Sequence, residues 1–92
     1  MTETKAISAT ITGRVQGVGF RYTTRRVGQD LGLVGWVRNQ PDGSVATVAQ
    51  GSERAIGRFV AFLEQGPPAA VVTSVQIHDV ATDPTLRGFR VA

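Results

Sequence analysis

Apolar and polar residues alternate over residues 7–12, with Ile7, Ala9 and Ile11 set against Ser8, Thr10 and Thr12, the pattern of a half-buried strand. Phe20, Thr24, Val27 and Leu31 then recur at helical spacing and predict a helix that begins near Arg21 and stops at Gly32. Gly28 weakens that helix from within, which points to a close approach to a sheet. Val34–Asn39 reads as a second strand and residues 44–50 as a third. The turn Gln40-Pro41-Asp42-Gly43 joins them into a hairpin that Gly51 ends. Ser52 is a good N-cap, with Glu53 in the first turn of a second helix whose stripe is Ile56, Phe59, Val60 and Leu63. Gly66-Pro67-Pro68 halts it. Val71–Val80 is a fourth strand, with Val75 and Ile77 on one face and Gln76 and His78 on the other. After a turn at Thr82-Asp83-Pro84, residues 86–91 read as a short closing strand with Phe89 and Val91 pointing inward.

The order strand, helix, strand, strand, helix, strand, with a short final strand, is an α+β arrangement. It is the ferredoxin-like split βαβ sandwich, with two helices packed on one face of an antiparallel sheet. Right-handed crossovers favour the spatial order 4-1-3-2. Strands one and two then run parallel, so the glycine-rich stretch after the first and Asn39 at the end of the second meet at one edge of the sheet. Many activities share this fold, which alone selects none of them.

The 92 residues suffice for one domain, expected over 1–92, and leave no room for a second core. No internal repeat or low-complexity tract stands out. A 41% hydrophobic and 18% charged composition is that of an ordinary globular protein. With no cysteine, disulfides, thiolate metal sites and cysteine nucleophiles are excluded. The first five residues are polar, without the apolar centre of a signal peptide, and no apolar run approaches a membrane span. A cytoplasmic protein without a membrane partner is expected. The formal charge of +3 suits an anionic partner, whether nucleic acid, membrane surface or small phosphorylated molecule. Nine of the ten basic residues are arginines, and Arg14, Arg21, Arg25, Arg26 and Arg38 cluster in or near two stretches.

The first is Gly13-Arg14-Val15-Gln16-Gly17-Val18-Gly19-Phe20-Arg21, between strand and helix. A loop at such a junction collects backbone N–H groups that the helix cannot satisfy, and the helix dipole adds positive potential. Both favour a phosphate or another oxyanion. Arg21 adds a planar charged fork that fits a phosphate bidentately. A plain glycine-rich connection beside a solvated arginine would look the same taken alone.

Read as G-x-V-Q-G-V-x-F-R, this stretch closely resembles the first signature of acylphosphatases. Gly35-Trp36-Val37-Arg38-Asn39, followed by Gly43, Val45 and Gly51, resembles their second. The resemblance covers essentially the whole chain, including the Gly66-Pro67 helix stop and the element order. It implies that Val15, Gln16, Gly17, Val18, Gly19 and Phe20 cradle a phosphoryl group through backbone amides while Arg21 binds it through the guanidinium. It implies that Asn39 positions the attacking water. The implied reaction is hydrolysis of a small acyl phosphate to a carboxylate and inorganic phosphate, with no metal, cofactor or covalent intermediate. A monomer is the simplest assumption.

Other readings account for less. Cysteine-based phosphatases need a thiolate at the start of the loop. RNA-recognition modules share the element order but stack bases on aromatics of the inner strands, which residues 7–12 and 44–50 lack. No nucleic-acid partner is therefore expected. A silent phosphate-binding domain would bind without turnover. His78 falls on the open face away from both motifs, and Trp36 is expected to be a packed strand aromatic. Arg38 should point away from Asn39, and Arg25 and Arg26 share its structural or solvated status. Thr47 is placed to support Asn39 across the hairpin.

Overall fold

In the computed structural model, which describes residues 3–92, the first alternating segment belongs to a longer strand, β1 (Thr4–Arg14). Met1 and Thr2, which open the polar N-terminal stretch, lie outside the described residues. β1 is followed by α1 (Phe20–Asp30), β2 (Val34–Asn39), β3 (Val45–Ser52), α2 (Glu53–Gln65), β4 (Val71–Val80) and β5 (Phe89–Val91). The five strands form one sheet in the order β4-β1-β3-β2-β5. The expected 4-1-3-2 order holds, with β5 added at the outer edge of β2.

β1 to β4, β1 to β3 and β2 to β3 are antiparallel, whereas β5 runs parallel to β2. The sheet is therefore mixed rather than wholly antiparallel. β4 ends at one edge, so the chain must cross the end of the sheet to reach the other, and β5 enters in the direction of β1 and β2. Gln50 holds that crossing. Its Nε2 donates to the Asp83 carbonyl (3.1 Å), and its Oε1 accepts from the Asp83 N–H (2.7 Å).

Strand ends differ from the sequence reading where backbone pairing extends past the alternating side chains. β3 continues through Gly51 to Ser52, because Thr4 and Lys5 supply partners for Ser52 and Gly51. The closing strand begins only at Phe89, and Val91, expected inward, is 37% exposed at the open edge. On β4, Val75 is half-buried but Ile77 is 37% exposed, since this edge strand has neighbours on one side alone. A bulge after Thr12 shifts the β1–β4 register, pairing Thr12 with Ser74 and Gly13 with Val72.

The core lies between the sheet and both helices. Ile7, Ala9 and Ile11 of β1, Val37 of β2 and Val45 and Ala49 of β3 meet Phe20 of α1 and Ile56, Phe59 and Leu63 of α2. Ser52 caps α2 as expected, its hydroxyl accepting from the Ala55 N–H at 3.1 Å. Gly66, at φ +70°, ends that helix. Leu31 closes α1, with Gly32 just beyond it at φ +72°. Gly28 has the reason its position suggested. A Cβ there would lie 2.5 Å from the Phe89 ring, so α1 sits against β5 by virtue of having none.

Candidate active site

β1 and β2 end at the same edge of the sheet. Ile11, Val45 and Asn39 fall in one row across three strands. Asn39 shares the helix-facing side of β2 with the fully buried Val37 two residues earlier. Just past β1, residues 15–19 turn the chain into α1. Gly17 (φ +75°) and Gly19 (φ +78°) take left-handed conformations that only glycine adopts cheaply. Val15 (1% exposed) and Phe20 (1% exposed) anchor the two ends of the loop in the core.

The helix start is left open. Gly19 is the cap residue, no side chain caps it, and no acidic residue sits in the first turn. The first ladder bond runs from the Thr23 N–H to the Gly19 carbonyl (3.0 Å), so the amides of Phe20, Arg21 and Tyr22 have no intrahelical acceptor. Those amides and the helix dipole together favour an anion here.

A cavity of about 160 Å³ opens at this point, lined by Val15, Gly17, Gly19, Phe20, Arg21, Tyr22, Asn39 and Val91. It falls below the roughly 300 Å³ at which pockets for drug-sized ligands begin. That size suits a small anion. Arg21 is exposed on the wall, and the one ion pair among the described residues, Lys5–Asp79 at 3.7 Å, lies elsewhere. The Asn39 side-chain oxygen is buried without a hydrogen-bond partner. A polar atom left so in a cavity wall is a place where a bound water or substrate completes the count.

Two residues of the glycine loop stand apart from the wall. Gln16 turns its side chain away, donating from Nε2 to the carbonyls of Gln40 (2.8 Å) and Ser44 (2.9 Å). It ties the loop to the β2–β3 turn just beyond Asn39. Val18 packs its side chain against the core. Thr47 does not reach Asn39. The register pairs Asn39 with Val45 and Thr47 with Val37, and the Thr47 hydroxyl donates to the Trp36 carbonyl at 2.7 Å. Arg38 faces away from Asn39, as strand alternation requires, and stacks 4.8 Å from the centre of the half-buried Trp36 ring. His78 is exposed on β4, at the far edge of the sheet. Tyr22 and Val91 are wall residues that the sequence did not single out.

A family model described as acylphosphatase matches residues 7–91. The chain is 49% identical over 73 residues to the acylphosphatase of Acaryochloris marina, covering 79% of this chain and 78% of that one. Among solved structures, an acylphosphatase from Coxiella burnetii superposes with a TM-score of 0.92 at 36% identity, over 97% of this chain and 93% of the other. The acylphosphatase from Bacillus subtilis gives 0.91 at 33% identity, over 96% and 98%. Sequence, fold and the cavity between the two signatures agree: the chain belongs to the acylphosphatase family, the hydrolases of carboxyl-phosphate anhydrides.

Proposed function

We propose that the cavity holds the phosphoryl group of a small acyl phosphate, with Arg21 and the amides of residues 15–20 on its equatorial oxygens and Asn39 aligning the attacking water. The observation that carries this reading is the convergence of Arg21, the glycine loop and Asn39 on one wall of about 160 Å³.

The chemistry asks for little more. The leaving carboxylate has a conjugate acid of pKa about 4, so it departs near neutral pH without a proton donor. What remains is charge stabilisation and alignment of water, which suits a loose phosphoryl-transfer transition state. Preorganised amides and a guanidinium supply the first, and the carboxamide of Asn39 the second. The wall contains no carboxylate or imidazole to act as base. A phosphate oxygen of the substrate accepts the water proton in this scheme. Water's oxygen bonds to phosphorus, the P–O bond to the acyl group breaks, and the carboxylate leaves with that electron pair.

The test compares benzoyl phosphate with p-nitrophenyl phosphate in excess chelator. The mixed anhydride should be cleaved and the aryl ester left nearly intact, with no effect of chelator. By analogy with oxyanion donors, Arg21→Ala and Asn39→Ala should each cost on the order of 100-fold in turnover. The arginine change should also weaken binding. Arg21→Lys should fail too, because an ammonium does not reproduce the fork. Full activity of Asn39→Ala on benzoyl phosphate would remove its assigned role. A monomeric state belongs to the same proposal, since one chain supplies every wall residue, and sedimentation tests it. A cytoplasmic location completes the reading, with cell fractionation as its check.

A further inference from the structure

A cavity of about 160 Å³ suits a phosphoryl group, and with the site open to solvent the acyl part of a substrate bound there lies toward the mouth. Tyr22 and Val91 are the wall residues whose exposed side chains the proposed reading gives no part in holding phosphate or water. Tyr22 is 69% exposed, an aromatic ring that the fold itself does not bury, and Val91 is 37% exposed. Arg25, one helical turn further along α1, places its guanidinium carbon 4.9 Å from the centre of the Tyr22 ring. That stack covers one face of the ring, so a second group can stack only on the other. Arg25 has no ion-pair partner among the described residues, and its buried Nε makes no hydrogen bond. Beyond Arg21 and Asn39, the only polar side-chain group on the wall is the Tyr22 hydroxyl. Little there can recognise an acyl group by hydrogen bonding, and contact area has to do it.

We propose that Tyr22 and Val91 form the acyl subsite, with the Tyr22 ring favouring planar, apolar acyl groups over small aliphatic ones. Arg25 is a positioning residue that holds the ring in place. This deepens the phosphate-cradle reading and rests on it.

The experiment measures kcat/KM for benzoyl phosphate and acetyl phosphate, and inhibition by inorganic phosphate, in the unaltered enzyme, Tyr22→Ala, Tyr22→Phe and Arg25→Met. Tyr22 is exposed on a helix, so its replacement by alanine should fold. The benzoyl-to-acetyl ratio should fall about fivefold in Tyr22→Ala, chiefly through KM for benzoyl phosphate, as the loss of one aromatic contact implies. Tyr22→Phe should restore the ratio, and Arg25→Met should lower it about twofold. A ratio unmoved in Tyr22→Ala, or an equal loss on both substrates, would overturn the subsite while competitive inhibition by phosphate left the cradle standing. Absence of that inhibition in the unaltered enzyme would overturn the cradle, and the subsite with it.

Discussion

Gln16 lies inside the glycine loop, yet its side chain serves the hairpin, reaching the carbonyls of Gln40 and Ser44. Through it the loop and the end of β2 are held in one frame. Removing it should cost about 1–2 kcal/mol, the net worth of two hydrogen bonds. A lower urea midpoint for Gln16→Ala at unchanged slope would show this. Phosphate inhibition should weaken in the same variant as the loop slackens. That role was not legible in the sequence, because what Gln16 touches depends on how β2 and β3 are registered. Arg21 and Asn39, by contrast, could be picked out from their signatures, and the fold brings both to one wall. Thr47 was misjudged for a related reason: nearness across a hairpin says nothing of which row a residue occupies, and its hydroxyl goes to the Trp36 carbonyl. Tyr22 carried no signal, since an aromatic among polar residues at a helix start resembles any solvated position.

At the scale of elements, the contest at Gly28 can be decided by magnitude. Alanine would favour the helix by about 1 kcal/mol. Its Cβ would meet the Phe89 ring at 2.5 Å, and overpacking of that kind costs about 1–3 kcal/mol. Gly28→Ala should therefore be net destabilising, with the melting temperature lowered by about 4–8 °C per kcal/mol in a chain of this size. A rise would show that β5 yields without cost. Both helices and the hairpin were readable because each joins a clear period to its own punctuation, as with Ser52 before α2 and Gly66 after it. β5 was overextended, and Val91, on the face of Phe89, is left partly exposed because the sheet ends there with three paired residues.

For the whole molecule, the order β4-β1-β3-β2 followed from handedness and connection length, and it places the loop after β1 beside the end of β2. The parallel pairing of β5 lay beyond that logic, since it depends on the crossing that Gln50 holds to Asp83. Acid sensitivity is also set at this scale. The hydroxyl and amide of Ser44 hold the Asp42 carboxyl below its ordinary value, and those of Thr85 do the same for Asp83. A depressed folded-state pKa gives stability that is present above the unfolded value and lost as pH falls through the folded one. Unfolding midpoints should thus be level above about pH 5 and decline below about pH 4, and Asp42→Asn should make the decline shallower. The start of α1, lacking any side chain to close its first turn, has a further consequence. By the proposed reading, inorganic phosphate mends that gap, so melting temperature should climb with phosphate concentration and stay nearly level in Arg21→Ala. At a hundred times its dissociation constant, such a ligand adds about 2.7 kcal/mol. An enzyme slowed by its own product would be kept folded by it.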